Sequence, residues 1–155
     1  MRVYFIESSA LAKLFVMEDG SDAIIELIES LAQPQKLLSS LGFVEVHSAI
    51  RRRERAGELT PAHADQAIGI MSAEIPLMME QTINPSVIET SRLMIDRHGL
   101  RALDAVQLAS CHVARATAGF ADVVFVASDK ALLAAAQKED FEVWDPEQGL
   151  PYPAF

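Results

Sequence analysis

The feature that most limits the fold is an alternation along the chain: short runs rich in β-branched and aromatic residues are separated by longer stretches of helical periodicity. Two of these runs, "RVYFI" (2–6) and "DVVFVAS" (122–128), are apolar almost throughout rather than at every second position. A strand with one covered face alternates apolar and polar residues, whereas a continuous apolar run marks a strand covered on both faces, as in parallel sheets crossed by helices. The alternation therefore predicts an α/β domain with a mainly parallel central sheet of about four to five strands, flanked by helices.

The remaining segments fill that frame. "QKLLSS" (35–40), "PLMMEQTI" (76–83) and "FEVWD" (141–145) are the other expected strands. "SSALAKLFVME" reads as a short helix opened by a serine cap, followed after "DGSD" by an amphipathic helix, "SDAIIELIESLAQ". A third helix covers 41–57 and stops at Gly57. Thr60 before Pro61 and Asn84 before Pro85 are start signals, because a capping side chain precedes a proline suited to the first helical turn. They predict helices from Pro61 to about Glu74 and from Pro85 to Gly99. "RALDAVQLASCHVARATAG" and "DKALLAAAQKED" complete the set.

At 155 residues and 50% apolar composition, the chain is expected to be a single domain spanning 1–155 with a substantial core. Thirteen Lys and Arg against twenty-two Asp and Glu leave a net charge of −9, which works against diffuse attraction to nucleic acid or an anionic membrane. A polyanionic partner must then be held locally, by a basic patch or by metal ions. A single cysteine, Cys111, excludes an internal disulfide and a cysteine-rich zinc site. The N-terminus lacks the pattern of a secretory signal and no apolar run reaches membrane-spanning length, so a cytoplasmic location is expected.

Against this background four acids stand out. In open parallel sheets, ligands bind beyond the carboxyl ends of the strands. Glu7 follows the first strand and Asp129 follows "VVFVAS" in the same way, which brings two distant acids to one sheet edge. Asp104 falls in the first turn of the helix "ALDAVQLAS", and Glu45 lies among Gly42, Phe43, Val44 and Val46. Each has a structural explanation taken alone: Asp129 suits a helix cap, Asp104 suits the helix dipole, and Glu45 could enter an ion pair. Clustered carboxylates repel one another unless a divalent cation compensates, and magnesium and manganese favour oxygen ligands. Such a site can activate water against a phosphodiester without a cysteine, histidine or covalent nucleophile.

The segments "VYFIESSALAKLF", "SSLGFVEVHSAIRRR", "LRALDAVQLASCHVA" and "VVFVASDKALLAAAQKEDFEV" together resemble the PIN domain, and specifically the VapC-type ribonuclease toxins of toxin–antitoxin pairs. The third segment is the most specific, with Asp104 and Ala105 followed by Leu108 and Ala109. The resemblance implies a PIN-like fold and a metal-dependent endoribonuclease using Mg2+ or Mn2+. It also implies an RNA substrate, a cognate antitoxin, and a homodimer with no membrane attachment. Residue by residue, it implies that Glu45, Asp104 and Asp129 are metal ligands, with Ser9 as a supporting polar residue. Glu7 stands at the first acidic position, where the family ordinarily has aspartate, and is expected with the other three acids to be catalytic and to bind the metal. The longer side chain leaves a second reading open: a PIN-fold module that binds RNA or protein without cutting it.

Arg51, Arg52, Arg53 and Arg55 form the one basic cluster of an acidic chain, and Arg51, Arg52 and Arg55 are candidates for contact with RNA phosphates or a partner. The structural alternative is a charged, solvent-facing helix end. His47, His63, His98 and His112 show no zinc spacing. A receiver domain would need an acidic pair where "IESSA" has one acid, and no G-x-G-x-x-G follows the first strand to mark a dinucleotide site.

Overall fold

A computed structural model of the protein describes residues 1–150. Five strands, β1 (Arg2–Ile6), β2 (Lys36–Ser39), β3 (Met79–Gln81), β4 (Asp122–Val126) and β5 (Glu142–Trp144), form one sheet in the order β3-β2-β1-β4-β5. All four pairings are parallel, so the sheet is wholly rather than mainly parallel. The helices are α1 (Ser8–Leu11), α2 (Ser21–Ser30), α3 (Ser40–Arg55), α4 (Pro61–Glu74), α5 (Pro85–His98), α6 (Ala102–Ala118) and α7 (Lys130–Lys138).

The continuous apolar runs occupy the centre, as their composition requires. Val3, Phe5, Val123 and Phe125 point to a core packed under α5, α6 and α7, whereas Tyr4, Ile6, Val124 and Val126 face a second core under α1 to α4. Phe5 and Phe125 sit side by side in register, with stacked rings 5.4 Å apart, worth about 0.5–1.5 kcal/mol beyond their burial. Phe141 and Trp144, whose setting the sequence leaves open, are both core residues.

The expected caps at Thr60 and Asn84 form, each side-chain oxygen accepting a backbone N–H three residues on. "PLMMEQTI" is a strand only at Met79–Gln81, because a 3₁₀ turn at Ile75–Leu77 takes up its start. The first helix is a single α-turn continued as 3₁₀ at Ala12–Leu14, and its cap is Glu7 rather than a serine. Ser8 and Ser9 are not free to cap, since their hydroxyls are committed to Glu45 and Glu7.

Candidate active site

The strand ends dictate where the acids meet. β1 and β4 end together, Ile6 opposite Val126, and the ladder continues with Glu7 N donating to Val126 O at 2.9 Å. Glu7 and the segment Ser128–Asp129 therefore leave the sheet side by side. Glu45 arrives from α3. That helix buries Gly42, Val46 and Ile50 and turns Glu45, Ala49, Arg52 and Ala56, one strip of its surface, toward the same hollow. The close approach of α1 requires Gly42, where a Cβ would meet Leu11 Cδ2 at 3.3 Å and Ser8 Oγ at 3.9 Å. Asp104 comes from the first turn of α6. All four acids line one cleft of about 720 Å³, and Glu45, Asp104 and Asp129 also line an adjoining hollow of about 540 Å³.

Each carboxylate is held differently. Glu7, only 4% exposed, accepts from Ser9 N at 2.9 Å and from Ser9 Oγ, all through Oε2. Ser9 Oγ in turn accepts from Ser128 N at 2.8 Å, stitching the ends of β1 and β4 together. Glu45 Oε1 accepts from Ser8 Oγ at 2.9 Å and from Gln107 Nε2 at 2.8 Å. Asp129 Oδ1 caps α7 by accepting from Leu132 N at 3.0 Å, so its structural explanation holds alongside any other role. Asp104 accepts no hydrogen bond, and no ion pair reaches any of the four, among the described residues.

The electrostatics follow from that arrangement. Burial pushes the Glu7 carboxyl up to about 7; its two bonds from Ser9 oppose the rise, and the neighbouring Glu45 and Asp104 charges add to it. Asp104 is also raised, first by burial and then by Asp129 and Glu45, with Arg101 pulling the other way.

Among the described residues no group of three or more His, Cys, Asp or Glu side chains is arranged to hold a metal ion. Glu7, Glu45 and Asp129 are each anchored to the protein through one oxygen. Each keeps its second oxygen without a protein donor, and Asp104 keeps both. Gln107, 1% exposed, leaves its own Oε1 buried with no donor beside Ser8 and Glu45. Carboxylates with spare oxygens are the donor type that a hard, partly hydrated divalent cation takes, and gathering them around one ion requires side-chain movement from the positions seen here.

The basic cluster does not act as a unit. Arg51 is tied to Glu54 at 3.0 Å and to the exposed Asp65 at 2.9 Å, pairs made at the protein surface. Arg55, with Arg51, borders a separate apolar hollow with Phe43, Val44, His47 and Ser48. Arg52 lines the acidic cleft. Two features of this cleft have no counterpart in the sequence reading. Gln107 lies within a helical apolar pattern and shows its polar role only once Ser8 and Glu45, 99 and 62 residues away, are placed beside it. Lys13, 3% exposed, binds Glu18 at 3.2 Å and Glu147 at 3.0 Å, and Arg53 pairs with Glu18 as well.

No protein-family model matches the chain, and no curated protein matches its sequence. Solved structures do match its fold. FitAB bound to the IR36 DNA fragment aligns at a TM-score of 0.70 with 14% identity, over 97% of this chain and 99% of the other. A toxin–antitoxin complex from Klebsiella pneumoniae aligns at 0.64 with 15% identity, over 93% and 97%. Mycobacterium tuberculosis VapC20, a toxin that cleaves the sarcin-ricin loop, aligns at 0.62 with 18% identity, over 85% and 94%. The fold is PIN-like, as the sequence resemblance implies.

Proposed function

We propose that this chain is a divalent-cation-dependent endoribonuclease, with magnesium or manganese as the ion, and the toxin half of a toxin–antitoxin pair. One observation carries the reading: four carboxylates from four separate elements line one cleft at the carboxyl edge of a parallel sheet, and no cation of the described protein pairs with any of them. Fixed carboxylates without a counter-charge are costly, so an arrangement that keeps them together suits a ligand that supplies the charge. The fold neighbours are of the same kind, one of them a ribonuclease toxin and others toxin–antitoxin complexes.

When bound, the cation would supply Lewis acidity toward the phosphoryl oxygen and lower the pKa of an attacking water. The protein's own part is orientation. Ser9 fixes Glu7, Ser8 and Gln107 fix Glu45, and the amide of Leu132 fixes Asp129. Asp104 is the unanchored member, able to follow the ion. Burial raises Glu7 to about 7, and a bound cation would favour its ionised form. As the resemblance implies, water would add to phosphorus and O3′ would leave, one proton of the water passing in the end to O3′, to give a 5′-phosphate and a 3′-hydroxyl. An antitoxin and a second copy of the chain belong to the same proposal. Exposed Val44 on α3 and Ile88 and Leu93 on α5 offer apolar surface for them.

A second reading is favoured by one feature: Glu7 is engaged as a helix cap where a shorter acid would leave more room for an ion. On it the chain is a binding module that does not cut. Incubation of a mixed structured RNA pool with the purified protein decides between them, using magnesium, manganese or chelator beside Asp104→Asn and Glu7→Asp variants. Chelator-sensitive cutting lost in Asp104→Asn supports the nuclease. Cutting by Glu7→Asp alone supports the binding module.

A further inference from the structure

We propose that Arg52 forms a second phosphate subsite of the cleft, holding the RNA backbone beyond the scissile bond and setting the direction in which the strand lies. The inference rests on the nuclease reading and extends it. Three cations line the cleft: Lys13, Arg52 and Arg53. Lys13 is neutralised by Glu18 and Glu147, and Arg53 is engaged with Glu18 and lies 3.9 Å from Glu58. Arg52 is exposed and has no ion pair or side-chain hydrogen bond among the described residues. It is therefore the cleft cation available to a ligand.

Its position follows from helix geometry. Arg52 lies seven residues after Glu45 on α3, two turns along the same face, with Ala49 between them and Ala56 one turn beyond. Seven residues of helix span about 10.5 Å. Along a stacked strand, with about 3.4 Å of axial rise per phosphate, that is about three nucleotides, and an extended strand covers it with fewer. Ala49, between them on the same strip, adds only a methyl group to the floor from the acids to Arg52. The planar guanidinium suits bidentate phosphate contact. At its other end the strand would meet only carboxylates, so the strip is polar in the sense that orients a polyanion: cation-assisted at Glu45, arginine-held at Arg52.

The test separates binding from cutting. With the four acids intact and Ca2+ replacing Mn2+ to hold cutting back, affinity for a short fluorescein-labelled single-stranded RNA of randomised sequence is measured by anisotropy across a salt series, with Arg52→Gln and, as control, Arg92→Gln on α5. Arg52→Gln is expected to weaken binding about tenfold at low salt and to reduce the salt slope by about 0.7, the value for one phosphate contact to a single strand, while Arg92→Gln leaves both unchanged. In the cleaving protein, KM for RNA should rise more than kcat falls. Measurable RNA binding with an unchanged slope in Arg52→Gln overturns the subsite and leaves the nuclease reading standing. Absence of RNA binding at low salt by the protein with its four acids intact overturns both, and points instead to a protein segment as the occupant of the cleft.

Discussion

At one end of the cleft Glu7, Glu45, Asp104 and Asp129 face the hollow without a cation; at the other, Lys13 and Arg53 are tied to Glu18 and Glu147. Surface exposure alone does not distinguish Lys13, at 3%, from Glu7, at 4%, although Glu7 lies deeper in the protein. The counter-charge does. Glu18 and Glu147 outweigh desolvation and hold Lys13 above its ordinary pKa, in its charged form. Glu7 has only hydroxyl and amide donors and like-charged neighbours, and moves toward its neutral form. A buried charge that the protein itself completes is architecture, whereas one left for a ligand to complete is a site.

Several substitutions can break or sharpen this contrast. The largest effect is expected from Asp104→Asn, which removes the unanchored carboxylate. RNA cleavage should fall by more than the roughly 10–100-fold typical of outer-shell partners of a metal, as read from initial rates in manganese, while the urea midpoint stays level or rises. Next is Lys13→Met at the paired end. Loss of a fully buried pair costs about 3–5 kcal/mol, but Glu147 is substantially exposed and Glu18 keeps Arg53, so about 2 kcal/mol is expected by urea denaturation. Manganese should not restore that loss.

The pH dependence sharpens the same contrast. Between the ordinary carboxylate value of 4.5 and about 7, the folded protein holds a proton on Glu7 that the unfolded chain has released. Stability of the metal-free protein should therefore fall as pH rises through that window and level off above it, with Asp104 contributing in the same direction. Thermal unfolding across the window should show a flatter profile for Glu7→Gln and, in the wild type, recovery on adding Mn2+ at the alkaline end. A profile unaffected by Glu7→Gln would assign the slope elsewhere. The smallest effect is expected from Gln107→Leu. It leaves Glu45 with Ser8 alone and should weaken manganese binding by about tenfold in calorimetry, with little change in stability because the orphaned Oε1 goes too.

How much of this was legible in the sequence depends on the range of the interaction. Strands buried on both faces announce themselves through composition, and Thr60-Pro61 and Asn84-Pro85 through local capping chemistry, so β1, β4, α4 and α5 fall where the pattern places them. Glu7, Asp129 and Asp104 are legible as strand-end and helix-start residues because the sheet is parallel and its carboxyl edge is shared, and Glu45 as a charge among apolar neighbours. Pairings across the fold are not. Lys13 reads as one polar position of a short helix until Glu147, 134 residues on, closes over it. "RRRER" reads as one patch, yet neighbouring residues on a helix diverge by about 100°, which sends Arg51 to Glu54 and Asp65 and Arg52 to the cleft. The serine cap expected for α1 fails for the same reason, since both hydroxyls answer to partners on other elements.

The strand order has a consequence in time. β1 lies at the centre of the sheet, yet its neighbour on one side is β4, made more than a hundred residues later. A chain growing on a ribosome therefore carries β1 with one open edge until β4 is made, and between residues 45 and 103 it holds Glu7 and Glu45 but neither Asp104 nor Asp129. The cleft cannot close until β4 and Asp129 have emerged, so a protein that cuts RNA would acquire that capacity only after the last of its four acids has been made.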